Sequence, residues 1–309
     1  MPSKQTITFL LFDKCCINGS LFDNFEYYCL FHKVFGDRAS VIYKIYTEFT
    51  RDQVVQILSD RYIDLPQIVW DNLIVQDIVI NTTVKDPYIS QVLFCATNSD
   101  VYWFLDHGNK LITVNTVTLA DIKETHERAK RYYKTYRTMY DDRIFEFNDF
   151  GEPYRKKLYF DIFKKKEYGA KYDYMINLSI PQRVFPKMLM MELFEQYDGE
   201  IAIYVGKRNW KYYLWANKID NVHLLVPPIE DFMGMFHTLI YVPYNDGWDA
   251  TPRLIPECKF YGKKVVYHDI VESVKAGGYY RSLDTEQNFE GLWLREDDEI
   301  IKLVETLLK

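Results

Sequence analysis

Residues 244–267 read YNDGWDATPRLIPECKFYGKKVVY. A polar loop with two acids, Asp246 and Asp249, runs into a short apolar turn. Glu257, Gly262 and the β-branched run VVY follow. Pro256 is poorly tolerated inside a helix, so a helix here is expected to start at Ile255 or Pro256, with Glu257 in its first turn. A loop, a short helix, a glycine and a buried strand make one half of an alternating α/β unit. Asp249 and Glu257 are acceptor-only carboxylates, suited to ribose or sugar hydroxyls. Arg253 lies between them and carries a planar fork suited to phosphate. The alternative is a polar loop with a helix-capping acid.

The same alternation extends upstream. DYMINLS (173–179), EIAIYVG (200–206), VHLLVP (222–227), TLIYVPY (238–244) and KKVVYH (263–268) read as strands, and PKMLMMELFEQY from Pro186 reads as a helix. The first half repeats the theme. TITFLLF (6–12) and SVIYKIY (40–46) read as strands, IVQDIVINTT (74–83) contains one, and VYWFL (101–105) is another. Helices are expected over 21–34 and 50–62, and from Asp86-Pro87 through Ala96, with Asn18-Gly19-Ser20 in a loop. The fold expected is α/β, with two Rossmann-like domains facing across a deep cleft. The expected domains are 1–168 and 169–296, with a final helix, 297–309, that packs back on the first.

The 309 residues carry a net charge of −6, which counts against a simple basic nucleic-acid binder. Cys15, Cys16, Cys29, Cys95 and Cys258 show neither CxxC nor zinc spacing, which fits reduced thiols in a cytoplasm. The N-terminus lacks the apolar core of a signal peptide, and no stretch is long enough to span a membrane. GxGxxG, Walker A and GxSxG are all absent, so the usual dinucleotide, P-loop and serine-hydrolase readings have no support. No tightly bound metal is expected, and a divalent ion assisting the diphosphate stays open.

The block Asp249-x7-Glu257, then Gly262 and VVY, resembles the donor-binding segment of GT-B glycosyltransferases. The resemblance implies that Glu257 holds the donor ribose. Within that family the chain is similar to the T-even phage DNA β-glucosyltransferase type. IVINTT, a helix and DVYWFLD match that type in order, which implies Asp106 as general base. LSIPQRVFPKM (178–188) is similar to its diphosphate loop, which implies Arg183 as a phosphate ligand, although a second loop arginine is missing. A general-base Asp implies inversion, whereas the Asp-x7-Glu block is commoner in retaining relatives.

The chemistry can also be stated without the family. A leaving diphosphate needs preorganised cations, and Arg183 and Lys207 or Arg208 after the Gly206 loop are candidates. Lys207 and Arg208 read equally well as a solvated loop. The acceptor hydroxyl needs a base within reach. Asp106 is the candidate, His107 beside it is the rival, and a helix cap is the alternative role for Asp106.

Lys123 to Lys171 contains 14 Lys/Arg against 9 Asp/Glu, a net +5, interleaved with aromatics. Lys130, Arg131, Lys134, Arg137, Lys156 and Lys157 are the candidate phosphate contacts. A solvated amphipathic helix with a hydrophilic linker is the alternative. The function expected is transfer from a nucleotide-sugar, uridine diphosphate type, to hydroxymethylated pyrimidines in double-stranded viral DNA, by a monomer without a membrane partner. The alternatives are a polysaccharide, lipid or small-molecule acceptor, or a non-catalytic sugar-nucleotide-binding protein.

Overall fold

The computed structural model describes residues 5–13, 19–77, 92–95, 110–115, 142–148, 150–151, 155–165, 169–178, 184–206, 209–226, 231–242, 253–268, 294–296 and 298–309. The chain divides into two compact units, Met1–Phe163 with Glu290–Lys309, and Lys164–Phe289.

The first unit is built on a six-stranded sheet. Its strands are β1 (Gln5–Asp13), β2 (Ala39–Thr47), β3 (Leu73–Asp77), β4 (Val92–Cys95), β5 (Lys110–Asn115) and β6 (Ile144–Asn148). Their order is β3-β2-β1-β4-β5-β6 and every pairing is parallel. The order reverses between β1 and β4, as in a doubly wound Rossmann sheet. Along β2 the residues alternate: Ala39, Val41, Tyr43 and Ile45 are buried, while Ser40, Ile42 and Lys44 are half-buried.

Helices α1 (Gly19–Phe35), α2 (Arg51–Arg61) and α3 (Gln67–Asp71) accompany this sheet. Thr50 caps α2 through a capping box with Gln53, which satisfies two otherwise unpaired N–H groups. The centre of α1 is buried on nearly every side: Phe25, Glu26, Tyr28, Leu30 and Phe31 are all inaccessible. A helix with no solvent face must be packed on both sides. Phe31 packs on Phe9 of β1, while Glu26 binds the chain at Tyr62 and Tyr159.

A hairpin of β7 (Phe150–Gly151) and β8 (Arg155–Lys156) is antiparallel. The second sheet contains β9 (Tyr172–Leu178), β10 (Ile201–Val205), β11 (Val222–Leu225), β12 (Phe236–Tyr241) and β13 (Lys264–Tyr267). Its order is β11-β10-β9-β12-β13, again parallel throughout. Helices α4 (Lys187–Phe194), α5 (Trp210–Tyr213) and α6 (Leu254–Phe260) lie between these strands in sequence. One core gathers Ile176, Met190, Leu193, Ile203 and Tyr213, and another gathers Met175, Phe236, Leu239, Ile255 and Cys258. The adjacent β9 residues Met175 and Ile176 enter different clusters, so both faces of the strand are covered, as a parallel sheet requires. Each fully buried aliphatic or aromatic side chain here contributes about 1.5–3 kcal/mol.

The last helix, α7 (Glu299–Leu307), belongs to the first unit. Ile300, Ile301, Val304 and Leu307 make its buried face. Asp298 caps it, and its carboxylate also pairs with Lys157 at 2.7 Å. Lys110 donates to the carbonyl of Leu307 at 3.1 Å, so a cation meets the negative end of the helix dipole.

Two sequence expectations need correction. The stretch expected to be helical up to Ala96 contains β4, whose Val92–Cys95 pair with Ile7–Leu10 of β1. Four-residue apolar runs fit either period, and the partner strand decides. Gly19 and Ser20, expected in a loop, are the first residues of α1. The strand expected over 101–105 lies outside the described residues.

Candidate functional site

In an open parallel sheet, the ends of two neighbouring strands whose connections run to opposite sides leave a crevice at their carboxyl edge. In the second unit that position lies between β9 and β12, since β9 continues to β10 on one side and pairs with β12 on the other. The chain after β9 carries Arg183, and the chain after β12 carries Asp249. Both residues lie outside the described ones. Helix α6 follows β12 and brings two sequence candidates into the described structure.

Arg253 is the residue before the first turn of α6, with helical dihedrals, and Glu257 is four residues on. The helix begins at Leu254, one residue upstream of the sequence expectation. Pro256 is accommodated because its missing N–H is among the first four, which have no partner within the helix. The Arg253 guanidinium donates through Nε to Oε1 of Glu257. The side chains are 7% and 2% exposed, so this is an ion pair taken out of water. Around it Ile255, Pro256 and Cys258 are buried. The carboxylate of Glu257 also sits near the positive end of the helix dipole. The arrangement gives a fixed anion and a fixed planar cation within one turn.

The helix then stops at Gly262, whose φ of 67° is left-handed. Its N–H donates to Lys259 O at 3.0 Å, and Lys263 N–H donates to Cys258 O at 2.7 Å. Lys263 turns back, with Nζ donating to Phe236 O at 2.8 Å. Burial lowers its pKa below the ordinary lysine value.

Gly206 is buried at the carboxyl end of β10. Its carbonyl accepts from the N–H of Asn209 at 2.9 Å and of Trp210 at 3.2 Å, which closes the turn into α5. Lys207 and Arg208 within that turn lie outside the described residues, as do Asp106, His107, Lys130, Arg131, Lys134 and Arg137. Lys156 is in β8, opposite Phe150. Lys157 pairs with Asp298, whose side chain is 5% exposed, so its ammonium is engaged inside the first unit. The described structure thus brings Arg253 and Glu257 together in the second unit and engages Lys157 within the first.

A buried acid that sequence reasoning passed over is Glu26. The signal was present: one carboxylate in the otherwise apolar and aromatic middle of a helix, FEYYCLF. Among the described residues, no group of three or more His, Cys, Asp or Glu side chains could hold a metal ion. No helix among them is long and apolar enough to cross a membrane.

No protein-family model and no curated protein sequence matches the chain. Solved structures do. HepE from Anabaena, crystallised with UDP and glucose, is similar with a TM-score of 0.54 and 10% identity, over 98% of this chain and 90% of that one. UDP-GlcNAc 2-epimerase from Neisseria meningitidis, bound to UDP-GlcNAc, has a TM-score of 0.49 and 10% identity, over 98% and 100%. The E. coli ADP-heptose LPS heptosyltransferase II has a TM-score of 0.40 and 8% identity, over 90% and 98%. The sheet orders and the likeness to HepE agree: the chain has an α/β fold of GT-B type, built from two Rossmann-like units.

Proposed function

We propose that the chain is a glycosyltransferase that binds a nucleoside-diphosphate sugar, uridine type, at the carboxyl edge of its second sheet. The observation that carries this reading is the buried Arg253–Glu257 pair on the helix after β12, beside the strand-order reversal. The UDP bound to HepE, a protein of similar fold, supports the uridine nucleotide. Glu257 accepts hydrogen bonds from the ribose hydroxyls, oriented by Arg253, and Asp249 serves the same polar group. Arg183, with Lys207 or Arg208, balances the charge that develops on the departing diphosphate. Asp106 takes the proton of the acceptor hydroxyl, with His107 as the rival base. Asp106→Asn keeps the shape but removes the basicity, so turnover should fall by about 10²–10⁴-fold at nearly constant donor affinity.

For the acceptor, the net +5 segment Lys123–Lys171 supports hydroxymethylated pyrimidines in duplex DNA. A flipped nucleotide costs a few kcal/mol of stacking, which aromatic contacts offset. Two measurements test the reading in order. Thermal shifts with UDP, GDP, ADP and TDP should show a rise for UDP, because a ligand that binds only the folded state stabilises it. Labelled UDP-glucose is then incubated with DNA containing 5-hydroxymethylcytosine, 5-hydroxymethyluracil or neither. Label on the hydroxymethylated DNA alone is the expected result. Slow donor hydrolysis without label on any DNA keeps the transferase and discards the DNA acceptor. The absence of any nucleotide shift discards the donor site.

A further inference from the structure

One register row of the second sheet departs from the rest. Ala202, Met175, Leu239 and Val265 stand side by side across β10, β9, β12 and β13. All are buried, in the cluster that includes Ile255 and Cys258 of α6. Two residues further along each strand, on the same face, come Tyr204, Asn177, Tyr241 and Tyr267. Tyr204 pairs with Asn177, and Tyr241 with Tyr267. The β9–β12 register runs to Ile176 and Ile240, so Asn177 and Tyr241 are next in line. The opposite face stays apolar to the strand ends: Ile203, Ile176 and Ile240, then Val205, Leu178 and Val242, are all buried. A parallel sheet covered on both sides is ordinarily apolar on both. Here one face ends, at the carboxyl edge, in phenols and a carboxamide. Tyr241 is buried, while Asn177, Tyr204 and Tyr267 are half-buried, so part of the row meets solvent.

The two faces also differ in the elements that cover them. The chain after β9 carries Arg183 and leads to α4, and the chain after β10 carries Lys207 and Arg208 and leads to α5. Met190 and Leu193 of α4 and Tyr213 of α5 pack on the apolar face. Helix α6 packs on the other face. Its last turn leads into β13, so its first turn, with Arg253 and Glu257, lies toward the carboxyl edge, where the row is.

We propose that the row Tyr204–Asn177–Tyr241–Tyr267 is the seat of the donor's base, and that Asn177 determines which base is accepted. This inference rests on the donor site proposed above. The row carries no charge, so it suits an uncharged part of the donor rather than the diphosphate. Of the two uncharged ends, the base is joined to the ribose, whose candidate acceptor Glu257 shares this face. The transferred sugar is joined to the diphosphate, whose candidate cations stand in the segments that lead to the other face. A carboxamide sets an acceptor and an N–H donor side by side. The uracil edge, an N–H beside a carbonyl, is its complement. The phenols add ring surface for stacking and hydroxyls for further hydrogen bonds.

The test is calorimetric titration of the full chain with UDP, CDP, ADP and GDP, with a circular-dichroism melt verifying the fold of each variant. Asn177→Leu removes the reading group at similar volume, so UDP affinity should fall about tenfold or more and the preference among the four should fade. Asn177→Asp is acceptor-only, which opposes the uracil carbonyls and suits the adjacent N–H donors of guanine. The ratio of UDP to GDP affinity should therefore fall about tenfold or more. Tyr204→Phe with Tyr267→Phe deletes two hydroxyls and keeps the rings. It should reduce the preference for UDP about threefold, and it decides the question if the Asn177 variants do not fold. An unchanged order and degree of preference in the folded variants, whether all affinities hold or all fall together, overturns the inference and leaves the donor site standing. No binding of any of the four by the wild-type chain overturns the donor site and this inference together.

Discussion

Glu257 and Arg253 share one buried helical turn, and their energetics separate a binding role from a folding role. Removing one member of a buried pair leaves an uncompensated charge, at a cost of about 3–5 kcal/mol, whereas replacing both with apolar groups of similar volume is often neutral. Glu257→Ala should therefore lower stability by about 3–5 kcal/mol in urea unfolding, and Arg253→Met with Glu257→Leu should recover most of it. An equal loss in the single and double variants would show that the pair is not coupled. Glu257→Gln keeps the volume and an acceptor but loses the charge. In calorimetric titration it should bind UDP more weakly by about 1.5–3 kcal/mol, the worth of hydrogen bonds to a charged group. Unchanged affinity in a folded Glu257→Gln protein would leave the pair a structural ion pair and remove Glu257 from the donor site. Each residue was legible as a candidate from its charge and its place before a glycine and a buried strand. Their pairing was not, since in sequence Arg253 reads as a phosphate ligand and the helix as starting at Ile255 or Pro256. The burial of the pair was not legible either, since that depends on Ile255 and Cys258 joining a core drawn from β9 and β12.

At the scale of elements, one carboxylate ties three segments. Glu26 of α1, fully buried, accepts from the Tyr62 hydroxyl at 2.6 Å and from the Tyr159 N–H at 2.9 Å. Ile63 N–H donates to Ile162 O at 2.8 Å, and Leu294 N–H donates to Leu158 O at 3.1 Å. The outgoing chain at 158–163 and the returning chain at 294 are thus fastened in the first unit at one place, next to its boundary at Phe163. Glu26→Gln keeps a carbonyl for one of these two donors and sets an amide NH2 against the other, which needs an acceptor. The expected cost is about 1–3 kcal/mol, with faster amide exchange at Tyr159 and Ile63. Unchanged stability and exchange would show that the anchor contributes nothing. Elements with a long run of one period were readable: β1, β2, α1, α2, β9, β10 and α7 stand within a few residues of their expected spans. β4, β5 and β6 were misread or passed over because each is a short strand inside polar sequence. Parallel pairing with β1 and with one another makes them strands: Val92 pairs with Ile7, 85 residues upstream, Lys110 with Val92, 18 upstream, and Ile144 with Leu111, 33 upstream, and none of those partners is visible in the local pattern.

For the whole molecule, the high tyrosine content becomes a prediction about alkaline stability. The chain has 26 tyrosines. Burial raises the pKa of Tyr28 far above its ordinary value, and its hydroxyl donates to Val69 O at 2.5 Å. Burial pushes Tyr46 up to about 12, and it also raises Tyr159 and Tyr213. In the unfolded chain these phenols ionise near pH 10. Above that pH the folded state holds protons that the unfolded state has released. Stability is therefore fully present below about pH 10 and declines as pH rises, until each folded pKa is reached. Each phenol protonated only in the folded state contributes a slope of about 1.4 kcal/mol per pH unit. Lys44 and Lys263 act with the opposite sign. Burial lowers their pKa, so their cost is present below the folded pKa and fades as pH approaches the unfolded value of 10.5. Beyond about pH 10.5 the lysines have no further effect and the tyrosines act alone. Urea unfolding followed from about pH 9 to about pH 11.5 should show a shallow change and then a steep fall. Phenolate absorbance in the native protein should lag behind that of the urea-unfolded chain until the fold is lost, and the remaining tyrosines should then ionise together. Of the five shifted phenols, Tyr28, Tyr46 and Tyr159 belong to the first unit and Tyr197 and Tyr213 to the second, so the stability of the first, followed by amide exchange, should fall more steeply with pH. Flat stability across this range, or full ionisation of all tyrosines near pH 10 with native circular dichroism intact, would show that these hydroxyls are open to water.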